Sequence, residues 1–318
     1  MVAALRFLNP GHLAMIAENI RETGVGRFVM ARIGHNARAQ AYLFWPALRA
    51  LKAARIARHP INFANRRQAA RSFNGVGVDI PWDDGFAYVK PRQLPNTGET
   101  IDYCRNIIDG WMEDNKSRQF DIASHILTEP DGSTDLTKHP IIQKFVQAPE
   151  VLGPVSRYLG EVPVLAHVSI QISHPNDSKV GFQQYHIDRI DRQQMKLFLA
   201  IDDVTADCGP LHFIPARESE ALERGERHIV GRIEDDVVAR YAGDAGIRVG
   251  TLKAGEGLFL DTCRCVHFGS RGNVKPRHLL MIQYTSRYSP VEPVSKEGNL
   301  RFDPALAHAT PYSNLLYV

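Results

Sequence analysis

Cysteine is scarce in this chain of 318 residues, and two other features are missing from it. Its four cysteines are too few for a disulfide framework, and no secretory signal is visible. No apolar run approaches the roughly 18 residues that a membrane-spanning helix needs. We therefore expect a soluble protein in a reducing cytoplasm.

Acidic residues are nearly absent from the first 72 positions. This part holds 12 Lys and Arg residues against Glu18 and Glu22, a net charge of +10. The remainder holds 26 basic and 33 acidic residues, a net charge of −7. The two parts therefore face different surroundings or face each other.

The apolar residues of the basic part recur with a helical period. They predict helices over residues 12–23 and 39–58, the second interrupted at Pro46. We predict two parts for the whole chain. A basic helical N-terminal extension covers residues 1–75, and a larger domain covers residues 76–318.

Three roles stay open for the basic extension. We favour its packing on the acidic remainder of the chain. Peripheral contact of residues 1–72 with an anionic membrane surface is the second, and a cleaved transit peptide is the third. Nucleic-acid binding is not expected, because the basic residues lack an interleaved aromatic platform or a base-reading motif.

Helical segments are also predicted ahead of and within the strand-rich part of the larger domain. They cover residues 101–115, with Thr100 as the cap, and residues 140–147 and 150–159. The long charged segment 217–250 is partly helical. A segment of that length between strands is typical of a lid or a substrate loop.

Two candidate metal ligands, His186 and Asp188, lie in the segment 181–188, whose pattern is typical of a strand. Side chains two apart in a strand leave by the same face, so this imidazole and carboxylate can bind one metal ion. A histidine and an aspartate on a strand are also often bonded only to each other. The pair alone is therefore a weak signal.

His267 is the candidate third ligand, at the end of the largely apolar segment 258–267. Two imidazoles and one carboxylate on one face of a metal leave the opposite positions open, as in non-haem Fe(II) oxygenases. Arg277 follows and opens the apolar run 279–284. A buried guanidinium is costly unless it meets an anion, and its planar fork suits a carboxylate. Together these residues indicate an iron site with an acidic co-substrate.

At these residues the sequence resembles the phytanoyl-CoA dioxygenase family, over residues 80–290. The motifs that carry the resemblance are His186-x-Asp188, Leu199-Ala200-Ile201-Asp202-Asp203-Val204, Gly209-Pro210-Leu211, Phe213-Ile214-Pro215, His267 and Arg277. It implies that His186, Asp188 and His267 form the catalytic iron site. It implies that Arg277 binds the distal carboxylate of the co-substrate 2-oxoglutarate.

The resemblance also implies a fold and a reaction. The fold is mainly β with flanking helices, a double-stranded β-helix (jelly-roll or cupin-like) core that follows the N-terminal helical extension. The reaction consumes 2-oxoglutarate and O2, releases succinate and CO2, and hydroxylates a small-molecule, lipid-linked or carrier-linked substrate. Related halogenases lack the carboxylate ligand so that chloride takes its place. Asp188 therefore favours hydroxylation over halogenation.

The alternation of apolar and polar residues along two predicted strands indicates where Gln171 and Lys196 point. Apolar and polar residues alternate from 165 to 173, and inside a β-helix the polar face lines the pocket. Gln171 on that face is a candidate contact to the co-substrate. Lys196 lies near the start of the predicted strand 195–204, and we expect it at the exposed strand start rather than in the pocket.

Other metal-binding residue types have simpler explanations. Cys263-x-Cys265 lies beside His267, but no second cysteine pair completes a tetrahedral zinc site, so both are interpreted as strand residues. His212 is interpreted as a core residue. His278 should leave its strand by the face opposite to Arg277.

A different class of function stays open as the alternative. A non-catalytic β-helix protein would use its basic N-terminal helices for docking on a membrane or a partner. The complete set of ligands and the arginine favour the enzyme, because a degenerate relative is expected to have lost one of them.

Overall fold

The structure is a computed structural model, and it describes residues 49–117, 122–127, 134–188, 191–226, 232–243, 246–290, 300–307 and 312–317. The helix predicted over residues 12–23 and the first part of the one predicted over residues 39–58 lie outside these ranges.

Helices and strands both occur along the described chain. The helices are α1 (49–58, as far as described), α2 (Pro60–Ala70), α3 (Thr97–Asp114), α4 (Pro140–Val146), α5 (Pro149–Leu159), α6 (Ala216–Glu226), α7 (Asp235–Ala242), α8 (Pro304–Ala307) and α9 (Ser313–Leu316). The strands are β1 (Phe86–Val89), β2 (Ala123–Ile126), β3 (Thr134–Asp135), β4 (Val164–Ser173), β5 (Met195–Ala200), β6 (Leu211–Phe213), β7 (Arg248–Gly250), β8 (Gly257–Leu260), β9 (His267–Phe268), β10 (Arg277–Thr285) and β11 (Leu300–Arg301).

Two antiparallel sheets pack face to face and confirm the predicted fold. The large sheet has the strand order β1-β8-β5-β10-β4-β2, and the small sheet has the order β7-β6-β9. Isolated bridges from His186 to His267 and from Tyr185 to Ile233 extend the small sheet. Buried residues of both sheets, such as Phe198 and Phe213, form one apolar cluster between them. This is a double-stranded β-helix.

The outer face of the large sheet is apolar and is covered by helices. Val168, Ile170 and Ile172 of β4 leave by this face, as their alternation predicts, and belong to one core with buried residues of α3, α4 and α5. Burying one such side chain contributes about 1.5–3 kcal/mol. The outer face therefore holds the helices on the sheet, and the polar residues that alternate along β4 lie on its inner face.

The helices α4 and α5 agree with the predicted segments, whereas α3 begins earlier than predicted. Thr97 is its first residue, and the Oγ1 of Thr97 donates a hydrogen bond to the carbonyl of Pro91 at 3.0 Å. Thr100 lies inside the first turn, so its prediction as the cap was wrong. The N-cap is Asn96, whose φ of 45° lies in the left-handed region.

Three local predictions of strand structure were wrong. The segment 181–188 is no regular strand: Gly181–Gln183 is a 3-10 turn that begins at a φ of 65°. The strand predicted over residues 195–204 ends at Ala200, where β5 leaves the ladder. Cys263 and Cys265 lie in the turn between β8 and β9.

The last part of the basic extension packs on the β-rich domain. Lys52 of α1 forms an ion pair with the buried Asp191 at 2.8 Å, and Arg55 donates a hydrogen bond to the carbonyl of Ser289. Arg66 of α2 is fully buried. Residues 49–70 therefore pack as we favoured for the extension, while membrane contact and the boundary at residue 75 stay predictions. Among the helices of the described ranges, none is long and apolar enough to cross a membrane.

Candidate metal centre

His186, Asp188 and His267 lie together between the two sheets. The backbones of the two histidines pair through reciprocal hydrogen bonds of 2.9 and 3.0 Å, and the N–H of Asp188 donates to the carbonyl of Thr262 at 2.9 Å. One nitrogen or oxygen from each of the three side chains lies within 4.8 Å of the others. In the described part of the chain, no other group of three His, Cys, Asp or Glu residues meets this criterion.

Hydrogen bonds at the Nδ1 atoms orient both imidazoles. Nδ1 of His186 lies 2.9 Å from the carbonyl of Gln184, and Nδ1 of His267 lies 2.9 Å from the carbonyl of Cys265. A carbonyl can only accept, so each Nδ1 carries the hydrogen and each Nε2 keeps a free lone pair. Nε2 of His186 lies 3.7 Å from Oδ1 of Asp188. This is the tautomer that a metal ligand requires.

The electrostatics favour neutral imidazoles beside an ionised carboxylate. Burial lowers the pKa of His186 to about 3, and burial also lowers the pKa of His267. Burial would raise the pKa of Asp188, but Lys196, His267 and His186 together hold it well below its ordinary value. These are the protonation states in which the three side chains can bind a divalent cation.

Lys196 and Gln194 both bind the Oδ2 atom of Asp188. Nζ of Lys196 lies 2.7 Å from this oxygen, and Nε2 of Gln194 lies 3.0 Å from it. Gln194 is held in turn, because its Oε1 accepts a hydrogen bond of 2.8 Å from Gln283. Both donors act on Oδ2, so Oδ1 is left free for a metal. The carboxylate is thus prepared to bind through one oxygen.

The expected exposure of Lys196 was wrong. Its side chain is 16% exposed and points into the space between the sheets. The register of β5 explains this, because Lys196 has the parity of Phe198, which packs in the inner apolar cluster. The partner at Asp188 offsets the cost of taking the ammonium group out of water.

Arg277 is buried at the start of β10, and one of its N–H groups has no hydrogen-bond acceptor among the described residues. Its Nη1 donates to the carbonyl of Gly209 at 2.7 Å, and its Nη2 donates to Oγ of Ser173 at 3.1 Å. Its Nε is buried and has no hydrogen-bond partner among the described residues. Burial lowers the pKa of Arg277 to about 10. A buried guanidinium of this kind suits an added anion.

Gly209 permits the backbone conformation that Arg277 uses. Its φ is 62°, and a Cβ at this position would lie 2.8 Å from the Cβ of Asn273. Both facts require glycine here. The turn at Gly209-Pro210 therefore places its carbonyl against the guanidinium.

Gln171 lies on the inner face of β4 and is half-buried. It is opposite Leu279 of β10 and two residues before Ser173, so it shares the face that meets Arg277. Contact of Gln171 with a co-substrate stays a prediction. Burial lowers the pKa of the neighbouring inner residue His167 to about 4, so its imidazole is uncharged at neutral pH.

The remaining candidates lie apart from these contacts. Burial raises the pKa of the thiols of Cys263 and Cys265, which are therefore neutral. His212 stacks on Phe268 with ring centroids 4.7 Å apart, as suits a packing residue. Nδ1 of His278 lies 2.8 Å from a carboxylate oxygen of Asp202, on the face opposite to Arg277, as predicted.

Sequence reasoning missed several residues around the triad. They are Ser173, Gln194, Arg232 and Thr262. Ser173 and Gln194 are polar residues in apolar surroundings, and strand parity could have found them. Arg232 comes from the charged segment between strands, where no periodic signal exists.

No protein-family model matches the chain, and neither does any curated protein. Solved structures of low identity do. AviO1 from Streptomyces viridochromogenes is 17% identical over 72% of this chain and 98% of that chain, with a TM-score of 0.44. HygX from Streptomyces hygroscopicus, with nickel and 2-oxoglutarate bound, is 14% identical over 64% and 83%, with a TM-score of 0.45. EctD from S. alaskensis, with bound Fe, is 17% identical over 69% and 76%, with a TM-score of 0.43.

Proposed function

We propose that the protein is a non-haem Fe(II)/2-oxoglutarate-dependent dioxygenase of the phytanoyl-CoA dioxygenase type, which hydroxylates its substrate. One observation carries the proposal. Two imidazoles with free Nε2 lone pairs and one ionised carboxylate meet within 4.8 Å, in a fold where Arg277 is buried with an unfilled N–H.

The donor set suits Fe(II). Two neutral nitrogens and one carboxylate oxygen are the protein ligands of the facial triad, which leaves positions open for other molecules. A catalytic zinc ion also accepts such ligands. The unfilled N–H of Arg277 favours iron, because a dicarboxylic co-substrate explains an arginine that has no carboxylate partner among the described residues.

Arg277 and Ser173 are the residues that would hold the distal carboxylate of 2-oxoglutarate. Oγ of Ser173 accepts a hydrogen bond from Arg277, so its own hydroxyl hydrogen remains available. A carboxylate beside both would receive this hydrogen and the N–H of the Nε atom. Such charge-assisted bonds are the strong ones in a buried site.

The remaining inner residues orient the ligands and exclude water. Lys196 and Gln194 fix Asp188, while Phe198, Leu258 and Met281 give the pocket an apolar floor. When bound, iron with 2-oxoglutarate and O2 supplies the oxidising chemistry, and succinate and CO2 are released. Because Asp188 is present as a third ligand, we propose hydroxylation of a C–H bond rather than halogenation.

The test is succinate formation by the full chain. We expect release of succinate from 2-oxoglutarate that requires added Fe(II), and we expect Asp188→Ala to abolish it while circular dichroism shows that the fold is retained. Asp203→Ala is the matched control, because Asp203 is half-exposed and pairs with Lys253 at 2.8 Å. Iron-independent turnover, or full turnover by Asp188→Ala, would overturn the proposal. A purely docking function would give no turnover in any of the three proteins.

A further inference from the structure

A second arginine with an unfilled N–H lies beside the triad, just before α7. The N–H of Ile233 donates to the carbonyl of Tyr185 at 2.8 Å in an antiparallel bridge, so Arg232 lies across from His186. Residues opposite each other in an antiparallel pair project from the same face. His267 pairs with His186 on its other side. Arg232, His186 and His267 therefore form a row across three chain segments.

The guanidinium of Arg232 has an aromatic neighbour but no hydrogen bond at its buried nitrogen. It lies 5.0 Å from the ring centroid of Phe182, and the Phe182 ring lies 5.5 Å from that of His186. Nε of Arg232 is buried, with no partner in the ranges that the structure describes. A half-buried cation with an unfilled donor is costly, and an added anion would offset that cost.

The carboxylate of Asp188 interacts electrostatically with Arg232 but is hydrogen-bonded to other residues. Asp188 is the acidic group that acts on its pKa, against the lowering by burial. The Oδ2 atom of Asp188 is bound by Lys196 and Gln194, and its Oδ1 faces the triad. Within the ranges that the structure describes, no carboxylate therefore forms an ion pair with Arg232.

Apolar surface adjoins the guanidinium. The ring of Phe182, which lies beside it, is 70% exposed in the turn that leads to His186. Binding sites for small molecules are commonly lined by aromatic side chains beside a few polar groups. A ligand that satisfies both features combines an anionic group with an apolar body.

We propose that Arg232 binds a carboxylate or phosphate group of the molecule to be oxidised, whose apolar part packs on Phe182. The substrate class is thus an amphipathic anion. This inference rests on the proposed function. It gives the two arginines different roles, because Arg277 binds the co-substrate and Arg232 binds the substrate.

The test is calorimetric binding to the full chain with Fe(II) and 2-oxoglutarate in the absence of oxygen. The probes are phenyl phosphate, phenylacetate and the neutral benzyl alcohol. We expect at least one anion to bind about tenfold or more tightly than the alcohol, and Arg232→Gln to remove that advantage. Whichever anion binds more tightly identifies the group as phosphate or carboxylate. The affinity for 2-oxoglutarate should stay within about twofold in this variant.

Three further variants keep the test decisive. Arg232→Lys should retain part of the anion affinity, because the charge remains without the planar fork. Phe182→Ala should weaken all three probes alike. Arg240→Gln is the matched control, since Arg240 is 61% exposed on α7 and should leave every affinity unchanged.

Two results would overturn the inference. One is equal binding of anions and alcohol by the wild-type chain. The other is a loss of 2-oxoglutarate affinity in Arg232→Gln as large as that of the probes, which would make Arg232 a co-substrate residue. A wild-type chain that binds the anions but no 2-oxoglutarate would overturn the proposed function and support the anion site.

Discussion

The two faces of the large sheet differ in chemistry although the same strands supply them. On the outer face of β4 and β10, residues such as Ile170 and Ile282 are fully buried under the helices. On the inner face, Ser173 and Arg277 of the same strands carry hydrogen bonds between the sheets. The comparison shows that strand parity separates the residues that pack under the helices from the polar residues of the site, which lie beside an inner apolar cluster.

The largest expected effect is on the inner face, at Arg277. Arg277→Met should weaken 2-oxoglutarate binding by 2 to 5 kcal/mol, or about thirtyfold to several thousandfold, because it removes one partner of a buried charge pair. The free energy of unfolding without ligand should not fall, since a buried guanidinium with an unfilled donor is itself costly. Calorimetry and urea unfolding measure the two quantities. Retained affinity would remove Arg277 from the site.

The matching change on the outer face should lower the free energy of unfolding without affecting 2-oxoglutarate binding. Ile170→Ala should lower the free energy of unfolding by about 2–5 kcal/mol, through a cavity beneath the helices. Its neighbour Gln171 faces the pocket, so Gln171→Ala should change stability by less than about 0.5 kcal/mol and weaken 2-oxoglutarate binding instead. Urea unfolding and calorimetry on both variants measure this. If Ile170→Ala and Gln171→Ala lowered the free energy of unfolding equally, the two faces would not differ as described.

A smaller effect is expected at Lys196. Lys196→Met should weaken Fe(II) binding by about 10- to 100-fold, because it frees Oδ2 of Asp188 and loosens the ligand. Lys196→Arg should restore part of the affinity, since it keeps a donor at that oxygen. Competition with a chelator measures it. Unchanged affinity in Lys196→Met would show that Gln194 alone orients the carboxylate.

The smallest effect is in the pH dependence of metal binding. The pKa of His186 in the folded chain is about 3, below the ordinary value for histidine, so His186 stays neutral in mildly acidic solution. Burial also lowers the pKa of His267, so Fe(II) affinity should fall between about pH 7.5 and 5.5 by less than the about tenfold that one free imidazole with a pKa of roughly 6.5 would give. A chelator competition series at several pH values decides between them.

Unlike metal binding, the free energy of unfolding of the metal-free chain should depend clearly on pH. The unfolded chain takes up a proton at His186 near its ordinary pKa, while the folded chain does so only near pH 3. Stability from this residue is therefore complete above the ordinary histidine pKa and is lost as the pH falls from there toward about 3. Urea unfolding at several pH values should show this decline, and His186→Gln should reduce it. An identical decline in His186→Gln would contradict the assignment.

The resemblance to a known family implied the β-helix fold, and strand alternation predicted which residues share a face. Ile170 and Ile172 repeat with period two, so the face that they share could be assigned without coordinates. The residue types of His186, Asp188 and His267 pointed to a metal, and the structure brings them together. The local pattern was enough for the outer face, because it depends on a few neighbouring positions. The assignment of His267, which is distant in sequence from His186 and Asp188, also used the resemblance to a known family.

The residues that the sequence did not assign depend on the register of distant segments. Lys196 has a pocket position because β5 pairs with both β8 and β10 in one register, which its own neighbours do not reveal. Arg232 reaches the triad through a single bridge between Ile233 and Tyr185. Gly181–Gln183 forms a turn where a strand was predicted. The bridge between His186 and His267 still brings the ligands together.

Anaerobic titration of 2-oxoglutarate into the full chain, with and without one equivalent of Fe(II), tests the central claim most directly. If the inner face of the β-helix is an iron site with an acidic co-substrate, iron should raise the affinity for 2-oxoglutarate by about tenfold or more, to one molecule per chain, and 2-oxoglutarate should raise the iron affinity by the same factor. Binding that is absent, or equal with and without iron, would contradict the account.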